Sequence, residues 1–292
     1  MYSDSDIKKA VGSTKLSYLA NKHRGGLNNQ KGATYEVKFV FLLIARAATT
    51  FFANSEIVTI SVQMKCFVDD AIYDSGSQRA HFQLRDVQAL TWNSGSGQPL
   101  WEDFKDQHVL NQSLGVPATK TSLVVSTQPL RDSLHKSLPP AISSHSEVIL
   151  FPNIPFEFLQ NNPEIRQGLT ELCHSGDSDL GQLVSTMNVV IGHWMIKEYS
   201  SVDFKTMLED MWATNAKIRR APAEVSPALA LILDQIPGFH YETQRGYLSW
   251  KYGTTDLGTI PDAIGTTNFI KIAQLIEKVK PVTFEALEGM LL

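Results

Sequence analysis

The sequence predicts a mixed α/β domain followed by a mainly helical one. Three observations carry this. A long apolar helical segment, Gly32 to Phe52, comes first; short strand-like runs follow it as far as residue 151; helix-period segments dominate from Pro163 onward.

Within Gly32 to Phe52 the apolar run Phe39 to Ala48 is broken only by Arg46, so it reads as a buried helix; a membrane span needs roughly 18 apolar residues. Ile57 to Phe67 alternates outward and inward through ISVQMKCF, a strand pattern. Ala71, Ile72 and Tyr73 make a short strand, Ser75-Gly76-Ser77 its turn, and Ala80 to Leu84 the returning strand. After the loop Asn93 to Pro99, Asp103 to Leu114 suits a helix with Phe104, His108, Val109 and Leu110 on an imperfect apolar side. Ser122 to Ser126 and Ser146 to Phe151 are short continuous apolar runs, typical of strands covered on both faces.

Pro139-Pro140 and Pro152-Asn153-Ile154-Pro155 punctuate the passage to the second half, so the expected domains are 1–155 and 156–292. Pro163 to Cys173 starts with a proline at a position where its missing N–H costs nothing. Asp203 to Arg220 recurs apolar at Phe204, Met207, Leu208, Met211, Trp212 and Ile218, with Asp203 as cap and Lys217, Arg219 and Arg220 at the negative end of the dipole. A helix Pro227 to Gln235 precedes two strands, Phe239 to Thr243 and Tyr247 to Tyr252, joined across Gln244-Arg245-Gly246. That order also fits a winged-helix module with Arg245 at the wing tip, binding a partner or ligand. Helices Asn268 to Lys280 and Thr283 to Leu292 close the chain, the second with Thr283 as N-cap.

A chain of 292 residues, 43% hydrophobic and 19% charged, has the make-up of a soluble globular protein long enough for two cores. The start, with Asp4, Asp6, Lys8 and Lys9 and no apolar core, is not expected to be a secretory signal. Cys66 and Cys173 stand far apart, which supports neither a zinc site nor a disulfide framework and favours a reducing cytoplasm. The net charge of −4 argues against a generally basic nucleic-acid coat, yet Lys8, Lys9, Lys15, Lys22, His23, Arg24, Lys31 and Lys38 cluster along the first helices as a candidate phosphate-facing edge. No nucleotide-binding glycine loop is present, His193 lacks a second histidine for a metalloprotease helix, and no serine sits in a nucleophile elbow.

The chemistry concentrates between Asp69 and Asp86. Strand, turn and returning strand put Asp70 and Gln83 at neighbouring positions where their oxygens can meet one divalent cation, and Glu36 offers a third oxygen from the packed helix. Of the adjacent acids, Asp70 is the better candidate because it stands next to the strand. Gln83 and Arg85 also alternate with Phe82 and Leu84, so they read equally as the polar face of a half-buried strand.

This constellation resembles the PD-(D/E)xK nuclease superfamily, in the branch whose last motif is Gln-x-Lys, found in double-stranded DNA endonucleases of bacterial antiphage defence systems. There a Gly-Gly pair precedes a helix with an acidic residue, an Asp precedes a hydrophobic strand, and Gln-x-Lys closes the site. The matching residues here are Gly25-Gly26, Glu36, Asp70 and Gln83-Leu84-Arg85, with Arg85 standing where the lysine is expected.

The resemblance covers roughly residues 25 to 155. It implies a restriction-endonuclease-like mixed sheet flanked by helices. It implies a metal-dependent DNA endonuclease, or a nuclease-derived subunit of an antiphage system, with Glu36, Asp70 and Gln83 holding Mg²⁺ (or Mn²⁺), the Leu84 carbonyl as a further donor, and Arg85 contacting the scissile phosphate. Implied partners are DNA and an ATPase or sensor protein in an oligomeric assembly, with no membrane. Arginine is a planar fork that stays charged, so the substitution equally fits a catalytically silent nuclease-fold scaffold or adaptor of a larger complex.

Overall fold

The chain forms two compact units, Met1–Met207 and Leu208–Leu292, in the computed structural model. It describes residues 3–27, 30–95, 97–116, 118–174, 179–214, 218–221, 223–254 and 256–291, giving backbone alone at 21–27, 30–32 and 157.

The first unit opens with helices α1 (Asp4–Val11) and α2 (Ser13–Leu27). Ser3 and Asp6 close a capping box at the start of α1, and Gly12, at φ 89°, separates the two helices. Gly25-Gly26 lies at the end of α2, ahead of α3 (Gln30–Asn54). Then come β1 (Thr59–Val62), β2 (Ala71–Asp74), β3 (Arg79–Arg85), α4 (Leu100–Ser113), β4 (Thr119–Val125), α5 (Gln128–Lys136) and β5 (Ser146–Leu150). A 3₁₀ turn (Phe156–Asn161), α6 (Pro163–Leu172), α7 (Leu180–Lys197) and β6 (Ser201–Asp203) complete the unit, which ends inside α8 (Phe204–Thr214).

The sheet order is β5-β4-β3-β2-β1-β6. β1, β2 and β3 form an antiparallel meander, β6 adds antiparallel to β1, and β4 and β5 run parallel to β3. The parallel pairs follow from helical crossovers, α4 between β3 and β4 and α5 between β4 and β5. This is a mixed sheet flanked by helices.

Helix α3 is the hub because it is apolar on every side: Phe39, Leu43, Ile44, Ala45, Ala47 and Ala48 are all buried. Phe39 meets Phe82 of β3 and Phe151 edge-on, with ring centroids 5.0 and 5.3 Å apart. A helix apolar all round needs cover on its second side, and α6 supplies it. Gly168 permits the approach, since a Cβ there would lie 2.4 Å from the Ala45 carbonyl oxygen. The proline tract at 152–155 is therefore a loop within the first unit, and the units divide at Met207/Leu208 instead of at residue 155.

Two further expectations change. The alternating run Ile57 to Phe67 is a strand only as far as Val62, because Gln63 adopts a left-handed backbone (φ 50°) and turns the chain out of the sheet. The helix expected from Asp203 to Arg220 ends at Thr214, although Asp203 does cap it, its Oδ1 accepting from Thr206 N at 2.9 Å. Arg220 instead lies over the Trp212 ring at 3.3 Å and donates to the Ile264 carbonyl at 2.7 Å. Lys217 falls outside the described residues.

The second unit contains α9 (Pro227–Asp234), β7 (Phe239–Gln244), β8 (Tyr247–Tyr252), β9 (Asp256–Thr259), α10 (Thr267–Val279) and α11 (Phe284–Leu291). Its core gathers Leu229, Phe239, Leu248, Trp250, Ile276, Phe284 and Leu287. Arg245 and Gly246, both at positive φ, make the tight β7–β8 turn, whose geometry matches strand twist. β9 extends the hairpin to three strands, so it is not a free two-stranded wing.

Candidate active site

The site grows from the connection between β1 and β2. The left-handed Gln63 ends β1, and its side-chain Nε2 donates to Glu36 Oε2 of α3 at 2.9 Å. The β2–β3 register pairs Ala71 with Phe82, which brings Asp70 level with Gln83. Both are buried, Asp70 at 7% and Gln83 at 1% exposure. Asp70 Oδ2 accepts three hydrogen bonds, from Gln83 Nε2, from Leu84 N at 2.7 Å and from Arg85 Nη1 at 3.3 Å. The Gln83 amide thus presents its nitrogen to the carboxylate, where the sequence reading expected its oxygen to face a cation; a half-turn of the amide exchanges the two.

Arg85, its side chain 34% exposed, also donates through Nη1 to the Leu84 carbonyl at 2.7 Å. One guanidinium nitrogen therefore bridges the Asp70 carboxylate and the Leu84 carbonyl. Glu36 joins this group electrostatically. Burial first, and then the nearby Asp70 charge, push its carboxyl up to about 7, while the Gln63 hydrogen bond and the Arg85 charge act the other way.

Helix α2 borders the site through Tyr18, whose hydroxyl donates to Asp103 Oδ2 at 3.2 Å. Burial first, then Asp103, hold this phenol well above its ordinary range; Asp69 adds to the effect and Arg85 opposes it. Asp69 itself is buried at 3% exposure. Gln98 Nε2 donates to the other oxygen of Asp103 at 2.5 Å, and Lys15 of α2 pairs with Asp106 at 2.9 Å and Glu102 at 3.1 Å. Two members of the expected basic edge thus turn inward, Lys15 to these acids and Lys38, buried, to Asn153 Oδ1 at 2.7 Å. Lys8 and Lys9 are exposed, while the side chains of Lys22, His23, Arg24 and Lys31 lie outside the described residues.

The structure brings the expected Asp70, Gln83 and Arg85 within hydrogen-bond reach of one another and adds Gln63, Tyr18 and Asp103 around them, which the sequence did not suggest. Gln63 sits inside an alternating apolar-polar run where any strand's outer face would carry such a residue. Its left-handed backbone is a tertiary outcome, and a non-glycine residue held there stores of order 1 kcal/mol of strain.

The donor set can be tested against a divalent metal. The cluster already holds one positive charge of its own, the Arg85 guanidinium, on a carboxylate and a carbonyl oxygen. Those atoms and Glu36 are hard oxygen donors of the kind Mg²⁺ takes; the Glu36 carboxyl is raised first by burial and only second by the Asp70 charge. Among the described residues no group of three or more His, Cys, Asp or Glu side chains stands ready for a metal. An ion here would have two carboxylates, with carbonyl, amide and water oxygens to complete its shell.

Searches of protein-family models, curated proteins and solved structures each found no match to the chain. Among the described residues no helix is long and apolar enough to cross a membrane.

Proposed function

We propose that the first unit is a restriction-endonuclease-like domain of the PD-(D/E)xK type that takes Mg²⁺ or Mn²⁺ at Glu36, Asp70 and Gln83 and hydrolyses DNA, as a subunit of a cytoplasmic bacterial antiphage complex. The reading rests chiefly on one observation, the coupling of Glu36 with Asp70 beside the Gln83-Leu84-Arg85 strand. The order helix, three-strand meander, helix, parallel strand agrees with it. When bound, the ion lowers the pKa of a water and stabilises charge on the scissile phosphate. The chain's own share is positional. The Leu84 N–H and the Gln83 amide lock Asp70, Gln63 orients Glu36, and the Arg85 fork is suited to a phosphate oxygen. DNA, an oligomeric assembly and an ATPase or sensor partner belong to the same proposal.

A second reading, a silent nuclease-fold scaffold or adaptor, is favoured by the Arg85 bridge across Asp70 and Leu84, which neutralises the pocket without a metal. Incubation of the full chain with linear and supercoiled duplex DNA and Mg²⁺ or Mn²⁺, alone and with the product of the neighbouring gene, separates the two. The nuclease reading expects cleavage that Asp70→Asn abolishes. DNA left intact in every condition refutes it in favour of the scaffold.

A further inference from the structure

Arg85 Nη1 contacts two of the oxygens proposed above as metal donors. Asp70 Oδ2 lies 3.3 Å away and the Leu84 carbonyl oxygen 2.7 Å away. A guanidinium nitrogen and a hydrated dication compete for those oxygens, and their like charges repel at such range. Asp70 is almost fully enclosed, with a side chain only 9% exposed, whereas the Arg85 side chain is 34% exposed. The carboxylate is therefore the fixed member and the guanidinium the one with room to swing outward. The backbone holds Asp70 in place through the Leu84 N–H at 2.7 Å, a bond that stays when Arg85 leaves. What attracts a planar five-donor fork out of such a seat is an oxyanion of matching geometry, and the phosphodiester backbone of duplex DNA is one.

From this geometry, and resting on the metal-site reading above, we propose that Arg85 is an internal latch. Its guanidinium closes the pocket to divalent metal until a DNA phosphate draws it away. Metal and DNA then bind cooperatively, each weakly without the other, through exchange of one cation for another on Asp70 and Leu84. Allosteric coupling of this kind commonly amounts to some 5- to 150-fold in affinity, and one displaced ion pair belongs toward its lower part, about tenfold. The coupling is reciprocal, so metal tightens DNA by the same factor that DNA tightens metal.

The test measures Mn²⁺ affinity by electron paramagnetic resonance on the full chain at pH 8, with no cleavage readout. Arg85→Met keeps the aliphatic stem and removes the fork; Arg85→Gln is the second variant should the first fail to fold. Without DNA, the variant is expected to bind Mn²⁺ about tenfold more tightly than wild type. Adding Asp70→Asn to it removes that binding. With saturating duplex DNA, wild type and variant converge to within about threefold, because the phosphate has already opened the wild-type latch. A variant that binds Mn²⁺ no more tightly than wild type overturns the latch, as does tight binding that survives Asp70→Asn or a gap in affinity that DNA leaves unchanged. Metal affinities that follow the expected pattern while DNA stays uncut keep the latch and discard the nuclease activity, so the two ideas fail separately.

Discussion

Replacing Glu36 with glutamine tests the electrostatics of the site without any assumption about catalysis. In the folded chain its carboxyl is pushed from the ordinary 4.5 up to about 7, chiefly by burial and then by the Asp70 charge. Between those two pH values the folded protein keeps a proton that the unfolded chain has released. The associated stability is complete below about pH 4.5 and is lost as pH rises through 7. At 1.36 kcal/mol per pH unit the full displacement corresponds to roughly 3 kcal/mol, and solvent screening at a half-buried side chain brings it to about 2. Glutamine still offers an oxygen to Gln63 Nε2 and carries no charge. Glu36→Gln should therefore raise the melting temperature of the first unit by about 4–8 °C at pH 8 and leave it nearly unchanged at pH 4.5. Calorimetric scans in EDTA-containing buffer across this range provide the assay. A shift equal at both pH values, or no gain at pH 8, refutes the account of a carboxyl raised by burial and the Asp70 charge.

Asp70→Ala removes the acceptor of the buried Leu84 N–H and of the Gln83 amide, at about 1–3 kcal/mol for each group left without one, whereas Asp70→Asn keeps an oxygen there. Under the proposed nuclease reading both abolish metal-dependent cleavage, and under either reading thermal denaturation should show the larger loss for alanine; equal loss would mean that Asp70 is held by charge alone. Gly168→Ala forces a Cβ against the α3 backbone at Ala45 and should destabilise the first unit by about 1–3 kcal/mol, read as a lower urea midpoint; an unchanged midpoint would show that α6 can yield. Gln107 Oε1 accepts from Phe67 N at 2.9 Å and Val68 N at 3.3 Å, so Gln107→Leu should cost about 1–3 kcal/mol and speed hydrogen exchange at those two amides. Unaltered exchange there would contradict this role.

The sequence by itself determined the elements whose patterns are local. The apolar segment around Phe39 to Ala48 reads by its length as a buried helix and the runs at 71–73, 80–84, 122–126 and 146–151 as strands, and the structure has a helix and strands there. The sequence also put Asp70 and Gln83 at neighbouring strand positions and offered Glu36 from the packed helix, while the place of Arg85 came from the resemblance to the Gln-x-Lys motif. Tertiary structure decided the rest. Pairing of β6 with β1, and the seating of α6 against Ala45 through Gly168, carry the first unit on to Met207, since a helix apolar all round must be covered on both sides. Gln63 became a support for Glu36 only through a left-handed backbone that no propensity signals. Which atom of Gln83 faces Asp70, and whether Arg85 reaches outward or back onto the Leu84 carbonyl, depend on competition for a few buried acceptors. That competition is three-dimensional: a residue's type fixes what it can donate or accept, and only packing fixes to whom.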